Sequence, residues 1–109
     1  MLFYCEFTWF PGTTREEVAR RVVEQHDAGL NHPDRIKGWY NLAGGGAGFL
    51  IVDYDDVAEL TAFLQPYMEF MSFDVRAIHE LDYNSRIEEL RKAASQAGTA
   101  SGVARHDFA

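Results

Sequence analysis

The sequence has a single cysteine, Cys5, so no disulfide can form within the chain and a reducing, cytoplasmic location is expected. Basic residues are also few, because ten Lys and Arg stand against 17 Asp and Glu, for a formal net charge of -7. Nucleic acids and anionic membranes bind clustered positive charge, so neither is expected as a partner. The apolar residues 1–10 include Glu6 and lack the basic region of a signal peptide, and no run approaches the roughly 20 residues of a membrane span.

Aromatic side chains, by contrast, are plentiful, with eight Phe, five Tyr and two Trp in 109 residues. A short chain has a poor surface-to-volume ratio and cannot hide so many rings in one core. We therefore expect some of them to line a cavity or a subunit interface, where aromatic residues are enriched.

Runs of alternating or continuous apolar residues predict four β-strands. In the first strand, alternate residues from Phe3 to Trp9 share one face. The stretch Phe49–Val52 does not alternate, which indicates burial on both faces. Helices can cover one face of such a sheet, and a second copy of the chain is expected to cover the other. The predicted strands are residues 2–9, 35–43, 48–54 and 73–81.

Capping residues predict three helices. Thr13 and Thr14 each begin a Thr-x-x-Glu capping box, and Asp56 begins a similar one with Glu59. On the first helix Val18, Val22 and His26 form an apolar stripe that Ala19 and Val23 widen. The helices are expected to run from Thr13 or Thr14 to about Asp27, from Asp55–Asp56 to about Met71 with a break at Pro66, and over about residues 83–95.

These elements predict an α+β domain with a β-α-β-β-α-β plan over residues 1–95, followed by a tail or arm over residues 96–109. Right-handed crossovers from two β-α-β units give an antiparallel sheet of strand order 4-1-3-2, with both helices on one face.

The run GFLIVDYDDVAELTAFLQPYMEFMSFDVRAIHELD, from Gly48 to Asp82, resembles a bacterial family known only as a domain of unknown function. The likeness covers about residues 1–92 and rests on patterning. Members of that family are similar to the ferredoxin-like, dimeric α/β-barrel superfamily. The resemblance implies a homodimer whose two sheets face each other as a barrel, with a ligand cleft between each sheet and its helices.

Characterised branches of the superfamily include cofactor-free monooxygenases, polyketide cyclases, muconolactone isomerases, dehydratases and haem-binding enzymes. They share no universal catalytic residue, so the resemblance implies the fold and the dimer more strongly than any one activity.

Two histidines are candidate acid–base residues. His79 is expected on the inward face of strand four, where burial lowers the pKa of an imidazole and favours a general base. The alternative is a core or interface histidine bonded to the backbone. His26 ends the stripe of the first helix near the cleft mouth, where it is also a favourable cation for the helix C-terminus. His26, His32 and Asp27 match no standard metal spacing, so no metal is predicted.

Other polar and aromatic residues complete the candidate site. Tyr40 and Trp39 point to opposite faces of strand two, and Tyr40, which shares its face with Ile36 and Leu42, is predicted to present its hydroxyl to the ligand. Arg76 is predicted to hold an oxyanion oriented by Glu6, or else the two form a cross-strand ion pair. The remaining ligand-binding candidates are Trp39, His32, Phe49, Met68 and Met71.

The sequence leaves three functions open. The first is a cofactor-free cyclase, isomerase or monooxygenase that acts on a hydrophobic aromatic or polyketide-like molecule by acid–base chemistry. The second is a non-catalytic binder or accessory subunit with the same cleft, and the third is a structural dimerisation module. Gly44–Gly46 and Gly48 join two strands and open no helix, so they predict a hairpin turn and no nucleotide site.

Overall fold

The computed structural model describes the backbone of residues 1–99 and the side chains of residues 1–96. The chain forms two compact units, Met1–His79 and a second that starts at Glu80. The first unit contains β1 (Leu2–Trp9), α1 (Arg15–Asp27), β2 (Ile36–Asn41), β3 (Ala47–Asp53), α2 (Val57–Leu64) and β4 (Met71–Ile78). Single turns of 3-10 helix, Pro33–Arg35 and Gln65–Tyr67, precede β2 and follow α2.

The four strands form one sheet of order β2-β3-β1-β4, in which each neighbouring pair is antiparallel. This is the predicted order 4-1-3-2, and the β-α-β-β-α-β plan is confirmed. Two crossovers place α1 and α2 on the same face of the sheet, as right-handed connections require.

The predicted bounds of β2 and β3 differ from the structure by one or two residues at each end, and those of β4 need the largest correction. β4 was expected over residues 73–81, but it begins at Met71 and ends at Ile78. It pairs only with β1, and Ile78 lies opposite Leu2, the first residue of β1. Beyond Ile78 there is no β1 backbone left to pair with, so His79 lies outside the ladder.

The core lies between the sheet and α2. Phe3 and Cys5 of β1 and Val52 of β3 pack against Leu60 and Phe63 of α2. Cys5 and Val52 are fully buried, and Leu60 is 2% exposed. Burial of Cys5 raises the pKa of its thiol to about 11, so it packs as a small apolar residue.

The helix starts follow the predicted caps. At α1 the Thr14 hydroxyl accepts from the Glu17 amide at 3.2 Å, and the Glu17 carboxylate accepts from the Thr14 amide at 2.9 Å. This reciprocal pair is a complete capping box. At α2 the Asp56 carboxylate accepts from the Ala58 amide at 2.8 Å.

The second unit contains α3 (Tyr83–Thr99). Asp82 precedes it, and its carboxylate accepts from the Ser85 amide at 3.0 Å, which holds the pKa of Asp82 below its usual range. The helix continues past the predicted end at residue 95, through the first residues of the predicted tail. The rest of that tail, residues 100–109, lies outside the described residues.

Among the described residues, no helix is long and apolar enough to cross a membrane.

Candidate functional site

A cavity of about 810 Å³ lies between α1 and the sheet. It falls within the 300–1,000 Å³ that is typical of small-molecule sites. Its floor is the sheet face that also carries the core, and one side is the inner face of α1. Its lining residues are Phe7, Trp9, Arg15, Val18, Ala19, Val22, Val23, His26, Asn31, Pro33, Ile36, Trp39, Asn41, Leu50, Phe63, Leu64, Tyr67, Met71 and Phe73.

The cavity exists because α1 does not pack down onto the sheet. No residue of α1 is buried, whereas α2 contributes three buried side chains to the core. The α1 residues that line the cavity run from Arg15 to His26 at spacings of three and four, the period of one helix face. At 1.5 Å per residue this face extends for roughly 16 Å. The predicted apolar stripe therefore lines a cavity along its whole length.

Polar contacts on the outer side of α1 hold the helix in this position. The Arg21 guanidinium donates to the Pro66 carbonyl and bonds to the Glu69 carboxylate at 2.9 Å. It also lies 5.0 Å from the centre of the Phe70 ring, a cation–π distance. The Thr13 hydroxyl donates to the Phe70 carbonyl at 2.9 Å. These contacts join α1 to the segment before β4 and leave its inner face unfilled.

A hydrogen-bonded pair forms part of the cavity wall. The Tyr67 hydroxyl donates to the Asn31 side-chain oxygen at 2.5 Å, and the Asn31 amide donates to the Val22 carbonyl at 3.1 Å. Burial raises the pKa of Tyr67, an effect that the bond to Asn31 and the charge of Arg21 partly offset. Tyr67 therefore stays protonated near neutral pH and acts as a hydrogen-bond donor.

Apart from Tyr67, the described ionisable side chains that line the cavity are few, and all of them are basic. Among the described residues that line it there is no Asp or Glu, although the chain contains 17. Arg15 lies at one end of the α1 face and His26 at the other. The remaining polar side chains are Asn31, Asn41 and Tyr67. The arrangement suits an apolar ligand that carries a small number of oxygen atoms.

Three of the predicted site residues line this cavity: His26, Trp39 and Met71. Trp39 is 60% exposed, so it reaches the cavity from the open side, whereas Met71 is buried at its base. Their roles stay predictions.

Tyr40 and Phe49 lie on the other face of the sheet, which corrects the expected orientation of Tyr40. Their rings stack with centroids 4.9 Å apart, and Tyr4 lies 5.1 Å from Phe49. The predicted orientation of Tyr40 rests on regular alternation of side chains along strand two from Ile36. The structure has a bulge between Ile36 and Gly38, and one extra residue reverses the faces of everything that follows.

The polar residues Arg76 and Glu6 also lie on that opposite face. The Arg76 guanidinium bonds to Asp74 at 3.0 Å, so the predicted Glu6–Arg76 ion pair is wrong. Glu6 lies directly opposite Asp74 in the β1–β4 register, which leaves Arg76 two residues along its strand and opposite Tyr4.

His79, His32 and Met68 are exposed and do not line the cavity. His79 follows the end of β4, so the expected inward position in an apolar wall is wrong. His32 adopts a left-handed conformation, with φ of 46°, between the cavity residues Asn31 and Pro33. Over the described residues, no group of three or more His, Cys, Asp or Glu side chains is placed to hold a metal ion.

The family profile described as a domain of unknown function, DUF3303, matches residues 1–97. The chain belongs to the DUF3303 family. The family resemblance predicted from the sequence is thereby confirmed. No curated protein sequence matches the chain.

Among solved structures, this DUF3303 chain is similar to the 5-chloro-2-hydroxyhydroquinone dehydrochlorinase TftG from Burkholderia phenoliruptrix AC1100, in complex with 2,5-dihydroxybenzoquinone. The two are 20% identical, with a TM-score of 0.51 over 74% of this chain and 96% of that chain. At this identity the likeness shows the fold alone, and it confirms the ferredoxin-like arrangement of the sheet and helices.

Sequence reasoning missed four polar residues of the DUF3303 cavity: Arg15, Asn31, Asn41 and Tyr67. Arg15 was detectable, since it precedes Val18 by three residues and so extends the predicted stripe by one turn. Tyr67 and Asn31 are 36 positions apart and meet only because the segment after α2 contacts α1. No local pattern in the sequence marks such a pair.

Proposed function

We propose that this protein binds a hydrophobic, ring-containing small molecule in the cavity between α1 and the sheet, and that it transforms this ligand by cofactor-free acid–base chemistry. The observation that carries the proposal is the cavity itself. It has the volume of a ligand site, an apolar lining and a few polar groups, which is the usual composition of small-molecule pockets.

His26 is the proposed acid–base residue. It is the one imidazole among the described cavity residues, and histidine is suited to proton transfer near neutral pH. The neutral Tyr67 hydroxyl is the proposed donor to a ligand oxygen, with Asn31 orienting it. Reaction classes compatible with these groups are those named from the sequence, an isomerase, a cyclase or a cofactor-free monooxygenase.

A non-catalytic binder with the same cavity is the second candidate. It is favoured by the hydrogen bond from Tyr67 to Asn31, because that bond already uses the only proton of the hydroxyl. Catalysis requires this proton to be redirected to a ligand. A binder requires only the cavity.

The proposed assembly is a homodimer in the cytoplasm, formed through the sheet face that α1 and α2 do not cover. Tyr40, Phe49 and Tyr4 form a row of contacting rings there, and Tyr40 is 54% exposed. Aromatic residues of this kind are enriched in protein interfaces. The superfamily that the family resembles pairs its sheets in this way.

The dimer is tested by light scattering after size exclusion. The wild-type protein is expected at the mass of two chains, and Phe49→Glu at the mass of one, because the substitution buries a charge in the interface. Val57→Glu, on the exposed start of α2, is the matched control and should stay dimeric. A wild-type protein that is monomeric at micromolar concentration contradicts the assembly.

Ligand binding is tested with the chain's own fluorescence, because both tryptophans, Trp9 and Trp39, line the cavity. The first probe is 2,5-dihydroxybenzoquinone, the compound bound by the similar dehydrochlorinase. Saturable quenching is expected in the wild-type protein. It should weaken in Val22→Phe, which fills the cavity, and persist in Val57→Phe, the same substitution outside it.

Loss of quenching in both Phe variants, or in neither, contradicts the cavity as the site. If a panel of hydroxylated aromatic compounds binds but none is converted, the binder is favoured over the enzyme. If a compound is converted, His26→Gln should abolish turnover while binding persists.

A further inference from the structure

The charge distribution around the cavity differs from that of the whole chain. The chain has a net charge of -7, yet the described residues that line the cavity include Arg15 and His26 and no carboxylate. The field of so acidic a protein repels anions in general. The cavity differs from this general behaviour, because a lining with a guanidinium and no carboxylate favours a ligand of negative charge over a neutral or positive one.

Arg15 is available to such a ligand. Within the described part of the chain its guanidinium makes no hydrogen bond or ion pair, whereas Arg21 on the same helix bonds to Glu69 at 2.9 Å and lies 3.6 Å from Glu24. The residues three and four positions further along the helix are Val18 and Ala19, so α1 offers Arg15 no acidic neighbour at a spacing that favours an ion pair. Arg15 is thus an exposed residue that lines the apolar cavity and has no protein partner among the described residues.

The rest of the α1 face is apolar up to His26. Val18 and Val22 follow Arg15 at three and seven residues, and Phe73 and Leu50 line the sheet side of the same cavity. A guanidinium binds a carboxylate through two parallel N–H donors. We propose that the ligand is an amphipathic anion, with a carboxylate or similar oxyanion on Arg15 and an apolar body over Val18 and Val22. This inference rests on the proposed ligand site and names the chemistry of its occupant.

The test compares naphthalene-2-carboxylate with its neutral isostere, naphthalene-2-carboxamide, by isothermal titration calorimetry. The wild-type protein should bind the carboxylate more tightly, by about fivefold for a partly exposed ion pair. Arg15→Gln should remove this preference and leave the affinity for the amide unchanged. Arg20→Gln is the matched control, since it removes the same charge from an exposed position of α1 outside the cavity, and it should retain the preference.

Equal affinity for the two compounds in the wild-type protein overturns the assignment to Arg15 and leaves the proposed ligand site standing. Loss of the preference to the same extent in both variants also overturns it, because the effect is then one of net charge. If neither compound binds the wild-type protein, and quinone quenching is also absent, the ligand site and this inference both fail. Thermal unfolding of each variant confirms that the fold is intact.

Discussion

Gly48 offers the sharpest test of the packing beneath the cavity. It lies in β3 opposite Phe7 and Asn41, and it is buried. A Cβ atom added there would overlap the Tyr40 carbonyl oxygen and would lie 2.6 Å from the Phe7 ring. Favourable carbon–carbon separations are about 3.5–4.0 Å. The Tyr40 oxygen belongs to the backbone of β2, so relief requires a movement of that strand.

We expect Gly48→Ala to lower the free energy of unfolding by about 2–4 kcal/mol, the upper range for overpacking. For a chain of this length the corresponding fall in Tm is roughly 10–17 °C. Gly44→Ala is the matched control in the same hairpin. No atom lies within 4 Å of the added carbon there, so its effect should be neutral or stabilising by up to about 1 kcal/mol.

Urea unfolding followed by circular dichroism measures both variants. The displacement of Phe7 should also carry its ring into the cavity, so Gly48→Ala should weaken ligand quenching in whatever fraction stays folded. If the stabilities of the two variants agree within error, the close approach of β2, β3 and Phe7 is refuted.

Two further predictions concern the core. Burial raises the Cys5 pKa from 9.0 to about 11, so with rising pH the thiol loses its proton in the unfolded chain before it does so in the folded one. The contribution of the protonated Cys5 to the free energy of unfolding is therefore complete below pH 9. It falls by about 2–3 kcal/mol as the pH rises to 11. Urea titrations at pH 8 and pH 11 measure the free energy of unfolding, and its loss between the two pH values should be smaller in Cys5→Ala than in the wild-type protein by the same amount. An equal loss in both proteins would contradict the burial of Cys5. Leu60→Ala should cost about 3 kcal/mol, against less than about 1 kcal/mol for Leu30→Ala in an exposed loop; equal costs would argue against a core centred on α2.

The strand order and the helix side of the sheet followed from the sequence because they depend on general rules. Right-handed crossovers left one order for a β-α-β-β-α-β chain, and alternation placed Phe3, Cys5 and Phe7 on one face of β1. The stripe of α1 was also visible, because helical period is a local property. The cleft that faces the stripe was implied only by the family resemblance. No local pattern shows it, because it depends on the contacts of Arg21 with the segment before β4.

The placement of individual site residues depended on features that no local pattern reveals. Tyr40 lies on the opposite face because a bulge between Ile36 and Gly38 inserts one residue into β2. His79 lies outside the sheet because β1 provides no partner beyond Leu2. Strand register and strand length are set jointly by two strands, so one strand's own sequence cannot fix them.

The central claim is that the space between α1 and the sheet holds a ligand, and methyl NMR with naphthalene-2-carboxylate tests it most directly. Shift changes are expected at the methyl groups of Val18, Val22 and Leu50, which line the cavity. The methyl groups of Val57 and Ile51, on α2 and on the opposite sheet face, should stay unperturbed. Changes centred on Ile51, or none at Val18 and Val22 at saturating ligand, would contradict the claim.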